Sequence, residues 1–176
     1  VVILALSTFI VKLASKIGKK ELSMIGCFIS AASFILLFII HTHNVLVWVG
    51  LIIVATIGTS MFNMVIWAMI TDVIDESEVQ TGVRQDGTIY SVYSFARKLG
   101  QACSSGLSGV LLSIIGYTSV TAFDPKVVDG IYNITCLVPA GGMILLLLAL
   151  WFLYPLNKKR VEENAEKLRI KRNENA

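Results

Sequence analysis

The run VLVWVGLIIVATIGTSMFNMVIWAMI, residues 45–70, decides the fold class, because it contains no Asp, Glu, Lys or Arg. A bilayer core about 30 Å thick needs roughly 20 apolar residues to cross it as a helix, and this run exceeds that length. Further apolar blocks occupy residues 1–15, 22–40, 88–116 and 130–154. The chain is 55% hydrophobic and 15% charged, which is the composition of a membrane protein. The sequence therefore predicts an all-α membrane protein with about five transmembrane helices.

The charges between the spans predict the orientation. Lysines flank the connection between the first two spans, at Lys12, Lys16, Lys19 and Lys20. The next connection, residues 41–44, has no Lys or Arg. Cytoplasmic connections of membrane proteins carry the excess of Lys and Arg. We therefore expect the first connection to be cytoplasmic and the second to lie outside.

Alternation of the spans extends this orientation along the chain. It places an acidic loop, residues 71–87, in the cytoplasm and residues 117–129 outside. Residues 1–156 form the predicted transmembrane bundle. The charged tail, residues 157–176, is predicted to be cytoplasmic, as a solvated helix or a disordered segment that anchors the last span at an anionic leaflet. The chain opens on Val1 inside an apolar run, so we expect its natural start to lie upstream.

The acidic loop carries the densest charge in the sequence. It contains one arginine, Arg84, among five carboxylates: Asp72, Asp75, Glu76, Glu78 and Asp86. One interpretation is a solvated loop that needs charge. The other is a cytoplasmic gate, an ion-pair network that closes one face of a moving protein and breaks in its other conformation.

Lys98 lies about ten residues into the fourth span. At about 1.5 Å per residue this places it near the middle of the bilayer. A cation there costs about 2.5–3.5 kcal/mol, so it should face a cavity and have a partner. A polar stripe at helical spacing runs through it, formed by Ser91, Ser94, Lys98, Gln101 and Ser105. Lys98 is therefore predicted to line a water-filled path, with a purely structural buried charge as the alternative.

Two further features bear on Lys98. No span has an Asp or Glu in its interior, so the counter-charge is expected from outside this chain. Arg97 lies about 100° round the same helix, and contact with the acidic loop is one position that the sequence leaves open for it.

The third span has a polar line of its own. Its members are three or four residues apart: Thr56, Thr59, Ser60, Asn63 and Trp67. Such residues either hold membrane helices together or face a substrate. For Trp67, a place in the inner aromatic belt is a further alternative.

These motifs resemble those of the glycoside-pentoside-hexuronide:cation symporters of the major facilitator superfamily. That family carries a D-x-x-D-x-x-E pattern, then T-G-x-R with an acid two places on, then a helix with K-x-G. Here the pattern falls on Asp72, Asp75, Glu78, Thr81, Gly82, Arg84, Asp86, Lys98 and Gly100. The resemblance implies the C-terminal helical bundle of such a transporter, helices eight to twelve.

The resemblance also implies a function. It implies symport of a sugar, glycoside or hexuronide with Na⁺ or H⁺ by alternating access in the inner or plasma membrane. The implied partners are the lipid bilayer, the sugar and the protein's own N-terminal six-helix bundle. That bundle would supply most of the ligands of the coupling cation. Substrate and cation coupling is assigned to Lys98, Gln101, Ser94, Asn63 and Trp67. The cytoplasmic gate is assigned to Asp72, Asp75, Glu78, Arg84, Asp86 and Arg97.

Three alternatives stay open at the level of sequence. The same fold could carry a non-sugar solute such as a lipid, or the protein could be a scaffold or sensor that transports nothing. A membrane-embedded enzyme is disfavoured, because the sequence has no H-E-x-x-H pair, nucleophile elbow or clustered metal ligands. We therefore predict no catalytic residue, no metal site and no cofactor beyond the coupling cation, and no nucleic-acid partner.

Overall fold

The computed structural model describes residues 2–42 and 44–174, without the side chains of residues 2–9 and 174. In this part the chain forms six helices: α1 (Val2–Ile17), α2 (Lys19–Ile40), α3 (Val45–Thr81), α4 (Asp86–Ile114), α5 (Pro125–Phe152) and α6 (Lys158–Glu174). Val1 of the first predicted span, His43 of the outer connection and residues 175–176 of the predicted tail lie outside the described residues. The predicted all-α fold class is confirmed.

Three of the described helices, α2, α3 and α5, are long and apolar enough to cross a membrane. They contain, wholly or in large part, the predicted spans 22–40, 45–70 and 130–154. α1 has only 16 residues, fewer than the roughly 20 that a span needs. α4 has 29 residues but carries Arg97, Lys98 and several serines and glycines, which lower its apolar character. That residues 1–15 and 88–116 cross the membrane therefore stays a prediction.

Side-chain caps fix where two of the long helices begin. At the start of α3, Leu46 N–H donates to Asn44 Oδ1 at 2.9 Å. At the start of α5, Lys126 N–H donates to Asp124 Oδ1 at 3.0 Å, and Pro125 is the first helical residue. The amide oxygen of Asn44 and the carboxylate oxygen of Asp124 thus accept from N–H groups that have no acceptor within the helix. α5 consequently begins five residues before the predicted span 130–154.

α2 is the central helix, because it packs against both α3 and α5. α1 contacts α2 and α3 at one end of this group. The buried core that joins these four helices consists of Ile10, Ala14, Leu22, Cys27, Val65, Met69 and Leu150. Burial of this apolar set holds the helices together, and Cys27 contributes as a small apolar side chain.

The closest approach of α2 and α3 occurs at Gly26 and Gly58. A Cβ atom added to either glycine would lie 2.5 Å from the carbonyl oxygen of the other. Next to this crossing, the hydroxyls of Ser30 and Thr59 share a hydrogen bond of 3.0 Å. Small residues at a helix crossing let the backbones approach, and a hydroxyl pair adds polar attraction where lipid supplies none. Thr59 thus holds helices together, as one of the two interpretations of its polar line predicted.

The predicted acidic loop, residues 71–87, is wrong for most of its length. α3 continues through it to Thr81, and only residues 82–85 connect α3 with α4. The acids at positions 72, 75 and 78 recur every three residues, so they share one face of this helical extension. The number of charges favoured a loop, but the helical spacing of the same charges agrees with the helix that the structure has.

The predicted tail is a helix rather than a disordered segment. α6 packs against the C-terminal extension of α3, and it buries Asn164 and Leu168. The predicted solvated helix is therefore correct in conformation, but one face of it is covered. α4 is placed differently, since it contacts mainly α3 and buries none of its residues in the described part of the chain. Much of its surface is left open.

Candidate functional site

An open cleft of about 570 Å³ lies between α3 and α4. Helical spacing explains its walls, because positions 62, 63, 66 and 67 share one side of α3 and positions 93, 96 and 97 share one side of α4. The lining residues are Phe62, Asn63, Ile66, Trp67, Tyr93, Ala96 and Arg97. This volume is in the range of small-molecule sites, which combine apolar walls with a few polar groups.

Aromatic rings and one guanidinium group organise the cleft. The Trp67 ring stacks on Tyr90, with 5.6 Å between centroids, and meets Tyr93 edge-on at 5.5 Å. Arg97 Cζ lies over Trp67, 5.5 Å from the ring centroid. A cation at this distance is attracted by the negative face of an indole. The guanidinium is therefore held at the wall of the cleft by the ring beside it.

The residues predicted for substrate and cation coupling divide into two groups. Asn63 and Trp67 both line the cleft, on α3. Ser94, Lys98 and Gln101 lie on α4 but not in the cleft lining. Lys98 and Gln101 are exposed and Ser94 is half-buried. Among the described residues none of these three side chains has a hydrogen bond or ion pair, so their role in coupling stays a prediction.

The turn between α3 and α4 places Arg84 against three carboxylates. Gly82 caps the C-terminal end of α3. It has a left-handed φ of 78°, and its N–H donates to Glu78 O at 2.9 Å. The chain then reverses, and Arg84 Nη1 lies 2.9 Å from both Asp75 Oδ1 and Glu78 Oε2. Arg84 Nε lies 2.9 Å from Asp86 Oδ2. These bonds, with that to Asp75 foremost, raise the pKa of Arg84, so it remains charged at any working pH.

The tail helix supplies two further arginines to the same acidic segment. Arg160 Nε donates to Glu76 Oε2 at 3.2 Å, and the buried amide of Asn164 also donates to Glu76. Arg172 Nη2 lies 3.5 Å from Glu78 Oε2. The hydrogen bond to Glu76 raises the pKa of Arg160. Glu78 therefore lies between the turn and the tail and connects both.

Asp72 belongs to a different contact. Its side chain is only 6% exposed, and Lys19 Nζ lies 2.6 Å from its Oδ1. The same ammonium group donates to Ala68 O at 3.4 Å. This ion pair connects the first residue of α2 to α3, next to the connection between α1 and α2.

The predicted gate residues thus separate into three places. Asp75, Glu78, Arg84 and Asp86 come together at the turn, as the gate hypothesis expects. Asp72 pairs with Lys19 instead. Arg97 does not reach the acidic segment, because the side of α4 that carries it faces Trp67 across the cleft. All of these pairs join elements of this chain to one another.

Sequence reasoning missed several residues of the site. Tyr90 and Tyr93 were not among the predicted site residues, although their spacing to Arg97 (three and then four residues) marks one helix face. The pairing of Glu76 with Arg160 had no local signal, since the two residues are 84 positions apart.

The sequence matches known transporters over most of its length. The profile of the family described as MFS/sugar transport protein matches residues 1–158. The chain is 34% identical to the glucuronide carrier protein homolog of Escherichia coli (strain K12), over 86% of this chain and 33% of that protein. It is 38% identical to an uncharacterized symporter of Bacillus subtilis (strain 168), again over 86% and 33% of the two chains. A putative sulfoquinovose importer of Salmonella typhimurium (strain LT2) is 33% identical over the same shares.

The chain spans about a third of the length of the curated relatives it matches. The relatives are named as a carrier, a symporter and an importer, so the family is one of transporters and not of enzymes. Together with the three apolar helices, these matches identify a multi-pass membrane protein. The chain belongs to the MFS/sugar transport protein family, among its glycoside and hexuronide symporters.

Proposed function

We propose that the full-length protein is a symporter that couples Na⁺ or H⁺ to the uptake of a sugar or glycoside by alternating access. The observation that carries this proposal is the cleft between α3 and α4, which is open, about 570 Å³ in volume and lined by aromatic rings, an amide and a guanidinium group. Rings and hydrogen-bonding groups together suit a sugar, whose faces are apolar and whose edge carries hydroxyls. The names of the relatives for glucuronide and sulfoquinovose support the same class of solute.

The described chain supplies one wall of the proposed site. α4 buries none of its described residues, and the cleft beside it is open. Since the chain covers about a third of its relatives, we propose that an N-terminal six-helix bundle completes the cavity and supplies most ligands of the coupling cation. Rocking of two such bundles around a central site is the usual form of alternating access.

Lys98 is the residue we assign to coupling. It lies in the predicted fourth span, it is exposed, and the described residues give it no carboxylate partner. An ammonium group in a membrane needs such a partner. We propose that Lys98 pairs with a carboxylate of the N-terminal bundle in at least one state, and that the coupling cation competes for that carboxylate. Gln101 and Ser94 would line the same aqueous path.

The ion pairs of the turn form the proposed cytoplasmic gate. Asp75, Glu78 and Asp86 surround Arg84, and the tail helix adds Arg172. The cluster lies at the C-terminal end of α3, beyond the apolar run of residues 45–70. The tail also approaches the first connection there, because Lys158 Nζ donates to Lys16 O at 3.0 Å. The gathering of basic residues at this end supports a cytoplasmic C-terminus in the inner or plasma membrane.

Counterflow in reconstituted vesicles tests the proposed function. Vesicles that contain the full-length protein are loaded with unlabelled glycoside and diluted into a trace of the labelled form. A sugar carrier accumulates label transiently, because exchange through one site needs no cation gradient. Absence of counterflow for a panel of neutral and acidic glycosides, with exchange of a lipid or of no solute instead, would contradict the proposal.

A further inference from the structure

We infer that the cleft selects an acidic sugar, one that carries a carboxylate, and that Arg97 is the residue that determines this specificity. The inference rests on the proposed function and narrows its substrate class. It concerns a residue that sequence reasoning assigned to the gate and that the structure places elsewhere.

The charge of the cleft lining is the first support. Of the described residues that line it, Arg97 is charged and the other six are not: Phe62, Asn63, Ile66, Trp67, Tyr93 and Ala96. Among the described residues that line the cleft, no carboxylate therefore balances the guanidinium. A solute that enters this cleft meets one fixed positive charge beside an amide and a phenol.

The carboxylates nearest in sequence are already paired with other cations. Arg84 lies against Asp75, Glu78 and Asp86. Lys19 takes Asp72, and Arg160 takes Glu76. In residues 2–42 and 44–174, Arg97 has no hydrogen bond or ion pair to a carboxylate, and its contact is the Trp67 ring. An uncompensated cation in a predicted span should have an anionic partner, and a substrate can be that partner.

The orientation of Arg97 suits this role. The attraction between the guanidinium and the Trp67 ring holds the charged group at the wall of the cleft but uses none of its N–H donors. The planar fork of an arginine matches a carboxylate in a two-bond geometry that an ammonium cannot reproduce. Lys98 is the next residue on α4, about 100° round the helix, and is not part of the lining. Arg97 therefore faces the substrate in the cleft, whereas Lys98 is left to pair with the carboxylate of the N-terminal bundle.

Size and polarity argue for a sugar carboxylate over a long-chain anion. The cleft of about 570 Å³ holds a molecule of monosaccharide or small glycoside size. Asn63 and Tyr93 offer a carboxamide and a hydroxyl for sugar hydroxyl groups. The rings of Trp67 and Phe62 offer apolar surface for the sugar face.

Paired ligands that differ only at one carbon test the inference. The dissociation constants of methyl β-D-glucuronide and methyl β-D-glucoside are measured by calorimetry on the purified full-length protein. A charge-assisted pair should make the glucuronide bind on the order of 10-fold or more tightly. Arg97→Gln should bring the ratio of the two constants close to one, and Arg97→Lys should leave an intermediate ratio. Arg169→Gln, which removes an exposed arginine of α6 that lies outside the cleft and has no described partner, should leave the ratio of the unmodified protein.

The outcomes separate this inference from the proposed function. If both glycosides bind but the unmodified protein has no preference, or if Arg97→Gln and Arg97→Lys keep its full preference, the inference is overturned and the sugar carrier stands. If neither glycoside binds and counterflow also fails, the proposed function itself falls. Should Arg97→Gln not fold, as judged by circular dichroism and gel filtration, the ratio for Arg97→Lys alone decides, and an unchanged ratio overturns the inference.

Discussion

Arg84 donates to Glu78 across the turn that joins α3 and α4, with Nη1 and Oε2 2.9 Å apart. Arg172 of the tail helix approaches the same carboxylate oxygen at 3.5 Å. Glu78 is only 13% exposed, and both arginines contact it. The turn, the end of α3 and the tail are thus connected through one side chain. Any motion that separates α4 from α3 at this end changes the contacts of all three.

Arg84→Ala should slow transport more than it weakens sugar binding. Each exposed pair of this kind is worth only about 0–1 kcal/mol, and Arg84 makes three, so we expect a slowing of roughly 3- to 10-fold. The measurements are the turnover rate and the dissociation constant of the sugar. The matched control is Arg169→Ala, which removes an exposed arginine of α6 without a described partner. Loss of binding with unchanged turnover would contradict the gate.

Lys19→Met should destabilise the protein because it leaves the carboxylate of Asp72 buried without its cation. We expect the free energy of unfolding to fall by about 1–3 kcal/mol, measured by denaturation in detergent. The double variant Lys19→Met/Asp72→Leu removes both charges and should recover part of this loss. Lys12→Met, at an exposed lysine of α1, is the control. A double variant that is no more stable than the single one would show that the pair is not the cause.

Gly58→Ala tests the crossing of α2 and α3. The added Cβ would lie 2.5 Å from Gly26 O and 2.9 Å from Ser30 N, which are backbone atoms that cannot move aside cheaply. We expect a loss of about 1–3 kcal/mol in the free energy of unfolding. Gly50→Ala on the same helix meets nothing within 4 Å, and it should be neutral or gain up to about 1 kcal/mol from helix propensity. Equal stabilities of the two variants would argue against this packing.

Cysteine labelling tests the orientation. A protein in which Cys27, Cys103 and Cys136 are replaced by Ser receives one cysteine at Val83, in the turn, or at Val120, in the opposite connection. Both sites are exposed, at 60% and 92%. A membrane-impermeant thiol reagent added to intact cells should modify Val120→Cys and spare Val83→Cys until the cells are opened. The reverse pattern would invert the topology.

Local features of the site could be predicted from sequence, and features that depend on helix packing could not. The charges of residues 71–87 predicted ion pairs around Arg84. The structure has these pairs, because Gly82 caps α3 and the chain returns Arg84 over the last turns of the helix. The position of Arg97 depends on which side of α4 faces α3. Spacing within one helix does not determine that side.

The fold shows the same division. The lengths of the apolar runs predicted the three long apolar helices, since a membrane span needs roughly 20 consecutive apolar residues. The helical extension of α3 and the packing of the tail were missed. Both depend on partners in distant parts of the chain, such as Arg160 for Glu76.

The most direct test of the account is cation-driven accumulation by Lys98→Ala. At matched membrane expression, uptake of labelled glycoside against a concentration gradient is compared with counterflow, which needs no cation gradient. We predict that Lys98→Ala retains counterflow but loses accumulation, because the carboxylate that the cation binds no longer has its alternative partner. Lys98→Arg should restore accumulation only in part, since a planar guanidinium needs a different cavity from a compact ammonium. Near-normal accumulation by Lys98→Ala would contradict the assignment of coupling to this residue.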